Sequence, residues 1–125
     1  MVDSRVRGND TYDLWKNWFY TLNSYDELVI DKIKRYIDLF RQANVAYSSI
    51  YLFGSYATNS STELSDIDVA VVMKKVNNLF FDNIELTKIS SKTDSRIEPH
   101  IILESDFHEM YPIAREVLRE GIQIV

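Results

Sequence analysis

Two aspartates, Asp66 and Asp68, open the apolar run Val69-Ala70-Val71-Val72, and the run Ile50-Tyr51-Leu52-Phe53 ends in Gly54-Ser55, with ten residues between Ser55 and Asp66. On a strand, side chains alternate between faces, so the spacing predicts both carboxylates on one face and Ile67, Val69 and Val71 on the other. Aspartate is depleted in strands, and two carboxylates about 5 Å apart repel by roughly 3 kcal/mol at an effective dielectric near 20. A positive partner offsets that cost. Mg²⁺ is the simplest one, because it takes oxygen ligands, uses one or two protein carboxylates and fills its other positions with water and phosphate oxygens. The chemistry this implies is metal-assisted work at a phosphate.

Gly54-Ser55 suits the phosphate end of such a site. Glycine lets backbone approach a phosphate closely, the amides that follow can open a helix N-terminus, and serine adds a hydroxyl donor. Either half alone says little, since Gly-Ser is usually a turn and Asp-x-Asp usually a loop or a cap. The two together at this spacing arise by chance in a chain of this length with a probability on the order of one in a thousand.

To hold these residues the chain needs two strands joined by a turn and a polar loop, with elements on either side to back them. Residues 46–53 read as the first strand, residues 56–65 as a Ser-, Thr- and Asn-rich loop, and Asp66 as the start of the second strand. Upstream, Ser24-Tyr25-Asp26-Glu27 has the form of a capping box. The helix it starts carries Val29, Ile33, Tyr36, Ile37 and Phe40 on one face, with Asp31, Lys32, Lys34, Arg35 and Asp38 mostly solvated opposite; it runs to about Ala43 and closes at Asn44.

Downstream, Lys74-Lys75 caps the second strand as a solvated pair, and residues 77–91 form a second helix with weaker periodicity from Phe80, Phe81, Ile84, Thr87, Lys88 and Ile89. A third strand covers 96–103, where Pro99 favours an edge or a strand end. Ser105 and Asp106 suit a helix start, Pro112 the first turn of the last helix, and Ile113, Ala114, Val117 and Leu118 its buried face. Gly121 stops that helix, and residues 122–125 can add a short final strand. The fold class expected is α/β (α+β), a mixed sheet backed by helices in one minimal domain.

Gly54-Ser55, ten intervening residues and Asp66-Ile67-Asp68, each half attached to an apolar strand, resemble the signature of the DNA polymerase β-like nucleotidyltransferase superfamily. The phrase Leu52-Phe53-Gly54-Ser55-Tyr56-Ala57 and the chain's size resemble its minimal nucleotidyltransferase (MNT) proteins, over roughly residues 45–125. The resemblance implies a nucleotidyltransferase fold and transfer of AMP from ATP to an acceptor hydroxyl. Gly54 and Ser55 would hold the triphosphate, and Asp66, Asp68 and a third carboxylate, Glu98, would hold two Mg²⁺. It further implies a HEPN-type toxin as partner, this chain being the antitoxin that adenylylates a toxin tyrosine. Two departures stand out: relatives often carry arginine just after Gly-Ser, where this chain has Tyr56-Ala57-Thr58-Asn59-Ser60-Ser61, and many have aspartate where it has Glu98. His100 shares the alternation of Glu98 and is a candidate for supporting or substrate contacts, although a lone histidine is more often structural; His108 has less support.

Composition sets the outer limits. At 125 residues, 46% hydrophobic and 26% charged, the chain has the makeup of one folded domain. A net charge of −5 with no Lys/Arg-rich run argues against a dedicated nucleic-acid surface, while metals still allow an acidic protein to bind a nucleotide. The absence of cysteine excludes disulfides and thiolate metal sites and fits a cytoplasmic protein; no run is long and apolar enough for a membrane span. Residues 1–10 read as a disordered or mis-annotated extension and residues 11–125 as the nucleotidyltransferase domain. Residues 11–20, with Tyr12, Leu14, Trp15, Trp18, Phe19 and Tyr20, suggest a short helix that covers the core or meets a partner in a hetero-oligomer. The competing expectation is a catalytically weak or inactive binding module that neutralises its partner by covering it. With no room for an acceptor-selecting domain, the acceptor is expected to come from another molecule.

Overall fold

A computed structural model describes residues 26–62 and 64–125; the expected helix at 11–20, the extension at 1–10 and the Ser24 end of the capping box lie outside them. Helix α1 spans Asp26–Gln42. Val29, Ile33, Tyr36, Ile37 and Phe40 recur along it every three or four residues, and all five are buried. Asn44 follows at φ 56, a left-handed conformation that asparagine tolerates, and ends the helix as expected.

Strand β1 (Ser49–Phe53) starts three residues later than the sequence suggested, because residues 46–48 are still leaving the helix and only the Ser48 amide, 2.7 Å from the Val72 carbonyl, reaches the sheet. β1 pairs antiparallel with β2 (Ile67–Met73), placing Phe53 opposite Asp68. Helix α2 (Leu79–Ser91) then carries the chain across to β3 (Ile97–Leu103), which runs parallel to β2 with Asp68 opposite Glu98. After helix α3 (Pro112–Glu120), β4 (Ile122–Gln123) returns antiparallel to β1. The order is β3-β2-β1-β4, the mixed sheet expected, with Pro99 on an edge strand where its missing amide costs least.

The sheet is covered on both faces. Ile50 and Leu52 of β1, Ile67, Val69 and Val71 of β2, and Ile97 of β3 pack against α1 and against Leu86 and Ile89 of α2. The Tyr36 hydroxyl donates to the Leu86 carbonyl at 3.5 Å, tying α1 to α2, and burial pushes its phenol up. On the opposite face Phe53, Ala70 and Ile102 pack against Ala114 and Val117 of α3.

Two helix faces differ from expectation. In α2 the buried stripe is Leu86, Ile89 and Ser90, while Phe80 and Phe81 are 69% and 62% exposed and stack edge to face on each other at 5.5 Å. One stripe of three residues suffices because α2 lies chiefly against β3, at the edge of the sheet. In α3, Leu118 is exposed, since a nine-residue helix turns only Ala114 and Val117 fully inward. Gly121 stops α3 as expected, at φ −74; its requirement is space, because a Cβ there would sit 2.4 Å from the Val117 carbonyl oxygen.

The start of β3 is braced by charge. Asp94, whose side chain is 11% exposed, pairs with Lys32 of α1 and accepts from the Arg96 amide at 2.8 Å and from Arg96 Nη2 at 3.0 Å. The Arg96 guanidinium above all, helped by Lys32 and opposed by burial, holds the Asp94 carboxyl well below the usual carboxylate range. A carboxyl whose folded pKa is lowered stabilises the fold above its unfolded value, about 4, and loses that contribution as pH falls below it. Asp94→Asn is expected to cost on the order of 1–3 kcal/mol at pH 7, with the gap to wild type narrowing at pH 3, as urea denaturation at the two pH values will show.

Candidate active site

Asp68 lies between two strands: Phe53 is its partner on β1 and Glu98 its partner on β3. In a strand the next side chain on the same face is two residues along, so His100 follows Glu98 onto this face beside Ala70, whose methyl group leaves room for an imidazole. His100 Nε2 lies 3.2 Å from Asp68 Oδ1 and 3.8 Å from Glu98 Oε1. One ligand atom from each of Asp68, Glu98 and His100 falls within 4.8 Å of the others. Phe53 meets the imidazole edge to face at 5.0 Å and limits how far it can turn. Side-chain exposures of 26% for Asp68 and His100 and 54% for Glu98 leave the cluster reachable from solvent.

Gly54 sits directly over Asp68. Its φ of +76 is left-handed, and a Cβ built on it would stand 2.3 Å from Asp68 Oδ2. Only glycine satisfies both conditions. The helix expected to open after Gly-Ser is a single 3-10 turn, Gly54–Tyr56, with Ser55 half-buried in it. The Gly54 carbonyl accepts from the Ala57 and Thr58 amides at 3.0 and 3.2 Å, and the Ser55 carbonyl from the Ser60 amide at 2.9 Å, so the loop folds back on the turn.

A cation does approach this loop, from the turn that leads into β3. Arg96 Nη1 donates to the Tyr56 hydroxyl at 3.3 Å, and that hydroxyl donates to the Thr62 carbonyl at 3.3 Å. The chain from Lys32 through Asp94, Arg96 and Tyr56 thus links α1 to the residue after Ser55. Tyr56→Phe is expected to cost about 0.5–1.5 kcal/mol, read as a lower urea midpoint with unchanged slope.

Of the residues picked from sequence, the fold brings together Gly54, Asp68 and Glu98, with Ser55 in the adjoining turn. Asp66 is exposed, one residue before β2, and is not one of the three clustered ligands. His100, weighed as a structural histidine, belongs to the cluster; its only sequence signal was the alternation it shares with Glu98. His108 is exposed and accepts from the Met110 amide at 3.2 Å in a local turn. Lys74 and Lys75 are exposed, as expected of a solvated pair. A cleft of about 350 Å³ lies at the other end of β2, lined by Asn44, Met73 and Leu86 among others. The oxygen-rich, half-open donor set of Asp68 and Glu98 fits a divalent ion that keeps positions for phosphate oxygens.

A mixed sheet with an Asp–Glu pair across two parallel strands, beneath a left-handed glycine turn, defines a nucleotidyltransferase-type domain. The chain matches the nucleotidyltransferase domain family over residues 31–124 and belongs to it. It is similar to a toxin-antitoxin protein crystallised with AMP-PNP, at 28% identity over 76% of this chain and 71% of that one, TM-score 0.55. It is also similar to a chain of the toxin-antitoxin complex MntA-HpeT, in a variant with two aspartates two positions apart replaced by glutamate, at 25% identity over 71% of this chain and 68% of that one, TM-score 0.52. A Sulfolobus solfataricus protein shares the fold at 14% identity over 98% of this chain and 90% of that one, TM-score 0.52. No curated protein matches it. The family match and the two closer likenesses together make this an MNT-type domain, and a transferase. No helix among the described residues is long and apolar enough to cross a membrane.

Proposed function

We propose that this chain moves AMP from ATP to a hydroxyl of a partner protein, as the antitoxin of a toxin-antitoxin pair whose toxin is of the HEPN type and is modified on a tyrosine. The observation that carries this reading is Asp68 directly opposite Glu98 across parallel strands, with Gly54 above it. Adenine and the toxin partner draw support from the similar proteins, one crystallised with AMP-PNP and both in toxin-antitoxin systems.

In this reading Asp66, Asp68 and Glu98 would hold two Mg²⁺, and the ions would supply positive charge to the triphosphate. Gly54 allows the phosphates to approach backbone, and Ser55 adds a hydroxyl donor to them. Glu98, half-exposed on the edge strand β3, would help take the proton of the incoming hydroxyl. His100 Nε2 borders the Asp68 carboxylate at 3.2 Å. No arginine follows Ser55, so nucleotide binding is expected to be modest.

A second reading, neutralisation by covering the partner, is favoured by the exposed Leu79, Phe80 and Phe81. Co-expression with the protein encoded beside it, followed by ATP and Mg²⁺ and intact-mass spectrometry of that partner, separates the two. An added AMP that disappears in the Asp66→Ala/Asp68→Ala double variant supports transfer. Neutralisation that survives the double substitution with no mass change supports covering.

A further inference from the structure

We propose that His100 is itself a metal ligand, and that the position formed by Asp68, Glu98 and His100 therefore prefers a first-row transition ion to Mg²⁺. The proposal rests on the nucleotidyl-transfer reading above for the presence of an ion at this site, and adds which ion and which third donor.

One imidazole nitrogen faces two carboxylate oxygens. A neutral imidazole carrying its proton on Nε2 can donate it along one direction, yet Nε2 lies within 4 Å of both Asp68 Oδ1, at 3.2 Å, and Glu98 Oε1, at 3.8 Å. With Nδ1 protonated instead, Nε2 offers a lone pair within 4 Å of both oxygens, and the three ligand atoms lie within 4.8 Å of one another. Adjacent ligands of a six-coordinate ion with bonds of about 2.1 Å stand about 3 Å apart, so small side-chain movements bring all three atoms to one ion. Phe53, edge-on at 5.0 Å, and Ala70, the small residue opposite, keep the ring on this path.

Donor chemistry then sets the ion. Mg²⁺ is hard, takes oxygen ligands and holds water tightly, whereas imidazole favours transition ions, and two carboxylates beside it keep the site within reach of Mn²⁺. His108 is exposed in the turn before α3 and is not one of the clustered ligands, and the chain has only these two histidines. Any nitrogen signal from a bound ion can therefore be assigned by single substitutions.

The test is Mn²⁺ binding to the full chain, followed by electron paramagnetic resonance with Mg²⁺ as competitor and by spin-echo detection of ¹⁴N coupled to the bound Mn²⁺. The expected result is a ¹⁴N coupling in wild type and in His108→Asn that is lost in His100→Asn. The preference for Mn²⁺ over Mg²⁺ should fall on the order of tenfold or more in His100→Asp, which restores an all-oxygen set. Thermal unfolding of each variant identifies any that fail to fold; His100→Asp and His100→Asn differ in charge, so one misfolding leaves the other informative. Bound Mn²⁺ without nitrogen coupling, with the same Mn²⁺/Mg²⁺ preference in the His100 variants, overturns the proposal and leaves His100 as the hydrogen-bond partner of Asp68. If AMP transfer with Mg²⁺ persists in that case, the nucleotidyl-transfer reading stands and only the histidine's role falls. Mn²⁺ binding that is unaffected by Asp68→Asn sinks both.

Discussion

Asp68→Asn is expected to lower nucleotidyl transfer by on the order of a thousandfold or more while leaving the fold intact. The size follows from what the carboxylate does: a metal-held phosphoryl centre is stabilised by several kcal/mol, and each 1.4 kcal/mol is about a factor of ten in rate. The fold survives because an Asn side-chain amide offers both a donor and an acceptor to His100 Nε2, 3.2 Å from Asp68 Oδ1, and so keeps that contact in either imidazole tautomer. Removing one charge also relieves repulsion with Glu98 across the parallel pairing. Thermal unfolding should therefore give a midpoint equal to or above that of wild type. The contrast is the informative part, because a merely structural aspartate would lose stability and activity together. Transfer within tenfold of wild type in a folded Asp68→Asn protein would remove Asp68 from the chemistry.

Gly54→Ala is expected to damage both stability and transfer through one methyl group. An L-residue held near φ +76 carries a strain of about 1–2 kcal/mol. The new Cβ also lands 2.3 Å from Asp68 Oδ2, far inside the 3.5–4.0 Å at which non-bonded carbon atoms sit comfortably. Either the turn lifts or the carboxylate swings away from Glu98 and His100, and a displacement near 1 Å at a reacting centre is worth about a hundredfold in rate. We expect a loss of roughly 2 kcal/mol in urea denaturation together with about a hundredfold loss of transfer. A double-mutant cycle isolates the contact: in an Asp68→Ala background the 2.3 Å approach to Oδ2 is gone and only the 3.3 Å approach to the residue-68 Cβ remains, so Gly54→Ala should cost little beyond the backbone strain. Equal costs in the two backgrounds would show that the close approach of turn and carboxylate does not matter.

These two residues show how unevenly the site could be read from sequence. Asp68 was legible because an aspartate at the head of an apolar β-branched run is a local anomaly that asks for a cation. Gly54 was legible as a turn residue, but its closeness to Asp68 was not, since that depends on how the loop returns the chain between two paired strands. Glu98 came from a resemblance, and the register that sets it opposite Asp68 came from the fold. Arg96 was missed, although it stands two residues before Glu98 and reaches Tyr56 of the loop that lacks an arginine of its own. Nothing local marks such a residue, because its partners, Asp94 apart, lie on other elements.

Sequence by itself determined whatever one element decides alone: the buried stripe of α1, the hairpin strands with polar residues between them, Pro99 on an edge, Asn44 and Gly121 as helix ends. A period of 3.6 or of 2 records which face of its own element a residue occupies, and burial of apolar area enforces that choice. The tertiary structure alone decided which faces meet. Parallel pairing of β2 and β3 requires a crossover, supplied by α2, that brings together residues about thirty positions apart, and a shift of one residue in that register would have turned Glu98 and His100 away from Asp68. It likewise left Phe80 and Phe81 in solvent, because the position of α2 at the sheet edge covers a narrower stripe than its apolar content suggests.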